Sequence, residues 1–326
     1  MANSKYNTPM TTQSQSPFDT IRSMSADILL HSTDLLSIDP FVVSGALQQR
    51  LESFRAARSE DLHSYPVLTP QDELGLNLFF NTINFCFKDP TSGNEYQYTS
   101  RDGHHLKRTT AFITALAESG LAWNDLHQIS ALTIEEWTAM IQLGEQNPLY
   151  LGTERNERIT GFARYLLDRG HATALGFIQA NDFDCLKLLQ VFIDSGYFKD
   201  DFLKRAQVAL KMIDTLTLRR LDRGLNGMQA LTCMADYRLP QVFYNLGAIV
   251  LSPALKERLT RQQPLISESR EELALRASVI AIAEQLAGLM KISEAEVDTL
   301  LWETSQHMAR VGEMTIPHML VATDKY

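Results

Sequence analysis

The sequence predicts an all-α protein with a single multi-helix domain, and three observations support this class. Apolar residues recur at helical spacing from residue 18 to residue 326. Alternation typical of a strand is confined to a short stretch near residues 96–98, and no internal repeat period is present. The composition, 44% hydrophobic and 21% charged, is that of a globular protein, and 326 residues suffice for one large core.

The elements follow in chain order from the same periodicity. Residues 1–17 are rich in Ser, Thr, Gln and Pro, so we expect a disordered tail before a helical domain over 18–326. Residues 88–103 are rich in Gly, Pro, Ser and Asp and predict an irregular stretch. Thr133 and Glu136 form a capping-box pattern at one helix start. The apolar spacing predicts helices over 19–32, 43–58, 72–87, 106–119, 132–143, 154–169, 171–180, 182–195, 200–218, 227–233, 240–251, 253–261, 269–290, 293–310 and 316–322.

Charge and cysteine content narrow the class of function. The net charge of −9 disfavours non-specific binding to nucleic acid or anionic membranes, although it leaves a local basic patch open. Cys86, Cys185 and Cys233 form no CxxC pair, which indicates buried reduced thiols rather than disulfides or a zinc site. No apolar run is long enough to span a bilayer, and the N-terminus is polar. We therefore expect a cytoplasmic protein; nothing in the sequence sets its oligomeric state.

The stretch CMADYRLPQVFYNLG (233–247) contains the first candidate site. Asp236 and Arg238 lie between apolar residues just before Pro240, at the start of a predicted helix. An acid at this position can cap the helix and pair with the arginine, because free N–H groups and the helix dipole favour a carboxylate there. It can instead be a catalytic carboxylate facing a pocket. The spacing alone favours the first interpretation.

Two basic clusters are candidate anion sites. His104 and Lys107 lie in HHLKR after a glycine-containing loop, where cationic side chains and helix-start amides can hold a phosphate or form a solvated turn. A metal site is disfavoured there because neighbouring histidines of a helix point apart. Lys204 and Arg205, in FLKRAQ, either bind an anion or extend from the edge of the core into solvent.

Glu303 and His307 form a third candidate, one helical turn apart in LWETSQH. Such a pair can act as an acid–base unit or form a surface ion pair. The sequence contains no Walker loop, GxGxxG, GxSxG or HExxH motif, so the generic catalytic motifs give no further assignment.

The stretch around Asp236 also resembles a known family. MADYRLPQ, residues 234–241, followed by SREELALRASVIAIAEQL, resembles the queuosine 5′-phosphate N-glycosylases, also called queuosine salvage proteins, which carry a Phe-Ala-Asp-Tyr-Arg-(Leu/Val)-Pro-Gln element. NTINFCF, residues 81–87, is similar to the family's Asp-Thr-Leu-Asn-Phe-Ser-Phe element. LTIEEWTAMI, ERNERI and FLKRAQ occur in the matching order. The resemblance extends from about residue 63 to residue 326.

The resemblance implies an all-helical architecture related to helical DNA glycosylases. It implies hydrolysis of the N-glycosidic bond of queuosine 5′-monophosphate, a small-molecule nucleotide, with release of queuine for transfer RNA modification. It implies no metal and no redox cofactor. The catalytic carboxylate would be Asp236, which Arg238 would orient or balance. A carboxylate suits this reaction because breaking a ribosyl C–N bond develops positive charge on the sugar.

The resemblance also implies a set of substrate-binding residues. Met234 would line the base pocket, and Glu303 would contact the base, with Thr304 where the family often has an aromatic residue. The other residues of the implied set are Tyr237, His307, Asn84 and Phe85.

The chain departs from the family pattern near these positions. Met234 replaces Phe, Glu303 replaces Asp, and RDGHHL replaces a Ser-Gly-Tyr-Trp-type stretch, while the C-terminal stretch keeps Pro317 and His318. The pattern predicts retained glycosidic chemistry with altered base recognition. Two alternatives remain: an enzyme acting on another hypermodified base, including one in DNA, and a non-catalytic nucleotide- or nucleic-acid-binding module on the same scaffold.

Overall fold

The structure, a computed structural model, describes residues 16–57, 68–89, 92–317 and 319–326. Helices account for most of these residues. This confirms the predicted all-α class. The implied relation to DNA glycosylases stays a prediction. Most of the predicted disordered tail, residues 1–15, lies outside the described residues, as does His318. Ser16 caps the first helix, so the described helical part begins slightly earlier than predicted.

The helix starts follow from local capping chemistry. Side-chain oxygens of Ser16, Thr69, Ser252 and Ser293 each accept the backbone N–H three residues ahead, and Thr133 forms the predicted capping box with its third helical residue. The helices are α1 (Pro17–Leu30), α2 (Pro40–Val42), α3 (Gln48–Ala57), α4 (Pro70–Phe80), α5 (Arg108–Glu118), α6 (Leu126–Ser130), α7 (Ile134–Met140), α8 (Glu154–Leu167), α9 (Ala174–Ala180), α10 (Cys185–Ser195), α11 (Lys204–Leu221), α12 (Leu239–Asn245), α13 (Pro253–Thr260), α14 (Arg270–Met290) and α15 (Glu294–Arg310).

Two short antiparallel ribbons accompany the helices. β2 (Gln97–Thr99) pairs with β3 (His105–Lys107), which confirms a short strand close to the predicted position. β1 (Leu36–Ile38) pairs with β4 (Ile249–Leu251), which the sequence did not predict. Three-residue strands are too short for a periodic signal, and this pairing joins distant parts of the chain.

Four predicted helices are wrong in whole or in part. The helix predicted over 72–87 ends at Phe80, and Cys86 beyond it has a left-handed φ of 37°. Residues 227–233 form only a 3₁₀ turn at Met228–Ala230 before the chain becomes extended. The helix predicted over 240–251 ends at Asn245, because Gly247 adopts a left-handed φ of 76° and the chain enters β4. The stretch 316–322 contains no helix among its described residues, and its Leu320 carbonyl accepts the Leu265 N–H at 2.8 Å.

The buried apolar side chains form one connected core that extends from Phe18 to Tyr326. α14 lies within it and packs against α1, α12 and α15. The sequence predicts no apolar run long enough to span a bilayer, but among the described residues α14 is long and apolar enough by length and composition, with 56% of that apolar window buried inside the protein. All three cysteines are free and buried, which confirms the prediction of buried thiols.

Candidate active site

Asp236 lies at the start of α12 and is held by the backbone. Its Oδ1 atom accepts the N–H groups of Arg238, at 2.8 Å, and Leu239, at 3.1 Å. The residue is half-buried. Its Oδ2 atom accepts no hydrogen bond from any described residue. The helix start thus fixes one carboxylate oxygen and leaves the other available to a ligand.

The chain reaches Asp236 through an extended segment, residues 231–236, which we call the approach segment; residues 231–235 of it are buried. It pairs with no described strand, yet four of its backbone groups bond to side chains of other elements, as buried polar groups need partners. Side chains from α11, α14 and α15 provide them. These bonds join Thr232 N to Gln207 Oε1 (2.9 Å), Cys233 N to Glu294 Oε2 (3.3 Å), Met234 N to Asp298 Oδ1 (3.1 Å) and Ala235 O to Arg276 Nε (3.0 Å).

The charged partners of the approach segment are themselves paired, so no uncompensated charge is buried there. Ion pairs join Glu294 to Arg22 at 2.7 Å, Asp298 to Lys211 at 3.0 Å and Arg276 to Asp200 at 2.7 Å. Burial raises the pKa of Glu294, and the hydrogen bond from Arg22 opposes that shift. Burial also raises the pKa of the Cys233 thiol, as does the Asp298 carboxylate beside it.

Lys204 is a cation that interacts electrostatically with Asp236. It is the first residue of α11, it is half-buried, and its ammonium has no hydrogen-bond or ion-pair partner among the described residues. Burial lowers the pKa of Lys204, and the Asp236 carboxylate opposes that shift. Its backbone N–H donates to Asp200 Oδ2 at 2.8 Å. The structure is therefore compatible with the predicted anion site at Lys204, because its ammonium has no protein partner among the described residues.

Arg205, the neighbouring candidate, has a different environment. It is 1% exposed, its Nε atom donates to the Lys325 carbonyl at 2.8 Å, and its Nη1 atom donates to the carbonyl of Thr82. Burial lowers the pKa of Arg205 to about 9. These bonds connect the last residues of the chain to the end of α4. They argue against Arg205 as a phosphate ligand, because three of its donor positions face protein carbonyls.

The other basic cluster lies on the β2–β3 ribbon. His104 and Lys107 are both exposed. Arg108, which sequence reasoning did not select, is half-buried, donates to Glu95, and has a buried Nε atom without a hydrogen-bond partner among the described residues. Burial lowers the pKa of Arg238, Asp236 opposes that shift, and Arg108 lowers the pKa further. Arg108 is thus the member of this cluster that acts electrostatically on the Asp236 region.

The side chain of Arg238 does not pair with Asp236. Its Nε atom donates to Ser305 Oγ at 2.8 Å, and its Nη2 atom to the Ser305 carbonyl at 3.4 Å, so it connects the start of α12 to α15. The predicted orienting role thus belongs to the backbone N–H of Arg238.

The remaining implied residues near Asp236 differ in exposure. Met234 is 3% exposed within the core, and the ring of half-buried Tyr237 lies 5.9 Å from that of Tyr326. Phe85 is 2% exposed and has the Arg155 guanidinium 4.0 Å from its ring centre. Most of these side chains therefore have protein partners already.

Asn84 donates to Asn81 Oδ1 at 3.2 Å and is half-buried. On α15, Glu303 and His307 are half-buried, and the His307 ring lies 6.0 Å from the ring of Phe54. Thr304 is fully buried, and its Oγ1 atom has no partner among the described residues. The structure thus places Thr304 inside the protein and His307 against α3.

The described residues contain no group of three or more His, Cys, Asp or Glu side chains arranged to hold a metal ion. His104 Nε2 lies 3.5 Å from Asp102 Oδ2, while His105 Nδ1 lies 2.9 Å from Thr99 Oγ1. The two neighbouring histidines therefore face different partners.

The protein therefore belongs to the class of helical proteins whose site is centred on a carboxylate. One oxygen of Asp236 is fixed at a helix start, the other is open, and Lys204 is the nearby lysine. Comparison with known proteins identifies the family. The family model of queuosine salvage proteins matches residues 68–323, so the chain belongs to that family. This confirms the resemblance seen around Asp236.

Relatives from distant organisms match over most of their length. A protein of Sphaerobacter thermophilus named queuosine 5′-phosphate N-glycosylase/hydrolase is 28% identical over 274 residues, which cover 76% of this chain and 80% of the relative. A protein of the same name from Bos taurus is 24% identical over 274 residues, covering 76% and 79%. Another from Dictyostelium discoideum is 26% identical over 246 residues, covering 71% and 72%.

Proposed function

We propose that this chain hydrolyses the N-glycosidic bond of queuosine 5′-phosphate and releases queuine. The family and the names of its relatives support the substrate and the reaction. The observation that carries the proposal is the Asp236 carboxylate, with Oδ1 held by two backbone N–H groups and Oδ2 open. The substrate is a small-molecule nucleotide.

The chemistry follows from that carboxylate. As the bond between the anomeric carbon and the base nitrogen breaks, its electron pair leaves with the base and positive charge develops on the ribose. Asp236 stabilises this charge electrostatically, and because it is already fixed, little reorganisation is needed during the reaction. A water molecule then bonds to the anomeric carbon, keeps one proton in the new hydroxyl group and gives the other to Oδ2. The released base takes up a proton from solvent and Oδ2 returns its proton to solvent, so the reaction consumes one water and regenerates the carboxylate.

The 5′-phosphate is assigned to Lys204 within this proposal. Its ammonium is unpaired among the described residues and half-buried, and a partly desolvated cation binds phosphate more strongly than an exposed one. His104 and Lys107 are the alternative. Lys204→Met should reduce the preference for the nucleotide over the nucleoside, measured as a ratio of kcat/KM values. An unchanged ratio removes Lys204 from the phosphate site.

Base recognition is assigned to Met234 and Glu303, as the resemblance implies. A site that hydrogen-bonds one base rejects others because a wrong base leaves buried polar groups unpaired. Met234→Phe combined with Glu303→Asp should alter relative turnover on a panel of 7-deazapurine nucleotides. If neither rate nor preference changes on any substrate, these two residues do not read the base.

The direct test is incubation of the purified protein with queuosine 5′-monophosphate and detection of queuine by mass spectrometry. Asp236→Asn should abolish release while retaining an oxygen for the N–H groups of Arg238 and Leu239. Asp125→Asn is a matched control, because Asp125 Oδ1 also accepts the N–H groups two and three residues ahead, at 2.9 and 3.3 Å, at the start of α6. The control should keep full activity.

Absence of base release from queuosine 5′-monophosphate contradicts the proposal. A panel of other modified nucleotides and modified DNA then tests the alternative substrates. Nucleotide binding without turnover, unchanged in Asp236→Asn, indicates the non-catalytic binding module instead.

A further inference from the structure

The Arg276 guanidinium lies next to the residue that precedes Asp236 in the chain. Its Nε atom donates to the carbonyl of Ala235, the residue before Asp236, at 3.0 Å. Its two terminal nitrogens form a bidentate pair with Asp200, both bonds being 2.7 Å long. The side chains of this pair are 4% and 1% exposed, so water does not compete for their hydrogen bonds.

Asp200 extends this connection to Lys204. Besides the arginine, its Oδ2 atom accepts the backbone N–H of Lys204 at 2.8 Å. Hydrogen bonds therefore run from the residue before Asp236, through Arg276 and Asp200, to the residue that bears the nearby ammonium. One guanidinium links the backbone positions of both charged groups.

Aromatic rings further restrain the guanidinium. Its central carbon lies 3.9 Å from the ring centre of Tyr326 and 4.3 Å from that of Phe202. The Tyr326 ring in turn lies 5.9 Å from the ring of Tyr237, which directly follows Asp236. A planar cation packed against rings and bonded along its edge has little freedom to move.

We propose that Arg276 is a positioning residue that sets the Asp236 carboxylate relative to the Lys204 ammonium. The inference rests on the proposed function for its catalytic consequence. A lysine at this position keeps the charge but not the planar fork, so it cannot hold Ala235 and both oxygens of Asp200 in the same geometry. The carboxylate then shifts although every group that contacts the substrate is still present.

The test compares Arg276→Lys with the wild type. A displacement of about 1 Å in a reacting group lowers turnover by about 10²-fold, so kcat should fall by that order. Arg220→Lys is the matched control, since Arg220 also forms a two-donor contact with a buried carboxylate, that of Glu73, at 3.1 and 2.8 Å. It lies near the opposite end of α11 from Lys204, and kcat should stay within about twofold, because the altered contact is remote from the site.

A double-mutant cycle separates positioning from general stability. Asp236→Glu already moves the carboxylate, so adding Arg276→Lys should cost much less in kcat than it costs in the wild type. A merely structural role gives equal, additive losses in both backgrounds. Asp200→Asn retains the shape of the anchor and serves as the second variant, with the same expected pattern, if Arg276→Lys does not fold.

Hydrogen–deuterium exchange provides a readout that needs no substrate. Asp236 protects the amides of Arg238 and Leu239 from exchange. Their exchange rates should therefore rise in Arg276→Lys and in Asp200→Asn, and should stay as in the wild type in Arg220→Lys. Unchanged protection of both amides overturns the inference even if the wild type proves inactive on the nucleotide. Wild-type turnover with unchanged or additive kcat losses also overturns it. Wild-type inactivity combined with the expected exchange contradicts only the proposed function.

Discussion

Gly75, in the middle of α4, should be intolerant of even one added carbon atom. A Cβ atom at this position would lie 2.0 Å from the carbonyl oxygen of Trp123 and 2.5 Å from its carbonyl carbon. These are backbone atoms, which cannot rotate away as a flexible side chain can. The two segments must separate by about 1 Å before the contact reaches even the tight limit of 3.0 Å.

The expected cost of Gly75→Ala combines three effects. Overpacking of this kind costs about 1–3 kcal/mol. Separation also stretches the bond from the Asn124 N–H to Asp72 Oδ1, which is 2.9 Å long and contributes about 1 kcal/mol. Alanine's higher helix propensity returns about 1 kcal/mol. The net result is a loss of about 2 kcal/mol in the free energy of unfolding.

The assay is urea unfolding followed by circular dichroism, with Gly288→Ala as the matched control. Gly288 also lies within a helix, α14, but is exposed, and no atom would lie within 4 Å of its added Cβ. That substitution should stabilise the protein by up to about 1 kcal/mol. The two alanines should thus move the unfolding midpoint in opposite directions. A Gly75→Ala protein as stable as the wild type would refute the reasoning.

Two further predictions concern stability. Glu73→Gln should lower the free energy of unfolding by about 2 kcal/mol, because Glu73 is 1% exposed and pairs with Arg219 and Arg220, which are 23% and 33% exposed and can turn to solvent; an unchanged urea midpoint would contradict it. Burial, with a contribution from Arg169, lowers the pKa of His171 below 6.5 in the folded protein. As the pH falls, the imidazole therefore becomes protonated in the unfolded chain before it does in the folded protein. Stability is lost as the pH falls through 6.5 toward the lowered pKa. His171→Phe should therefore gain stability relative to the wild type between pH 7.5 and 5.5, and a constant difference between their urea midpoints would rule this out.

The catalytic candidate could be found from sequence because its signal is local. Asp236, Arg238 and Pro240 lie within five residues, and the capping bonds to Asp236 span only two and three residues. The same locality explains why most helix starts were predicted closely, since caps and apolar spacing are short-range features.

The contacts that hold Asp236 in place could not be predicted from the sequence. The approach segment was predicted partly as helix because its apolar residues allow that interpretation, whereas its real partners, such as Asp298 and Arg276, lie more than 40 residues away. Sequence also could not separate Lys204 from Arg205. Neighbouring helical residues point in directions about 100° apart, and only the packed fold shows which one faces Asp236 and which one faces carbonyl groups.

The approach segment has a consequence for how this site can diverge. The bond that joins Met234 to α15 uses the backbone N–H of Met234, so the side chain at position 234 can be replaced without removing a bond that places Asp236. Met234, where the resemblance implies phenylalanine, is one such replacement. The side chain two residues before Asp236 can therefore change in size and chemistry while the carboxylate keeps its position. The residues on which that position depends are instead Arg276 on α14 and Glu294 and Asp298 on α15, whose side chains bond to the backbone of the approach segment.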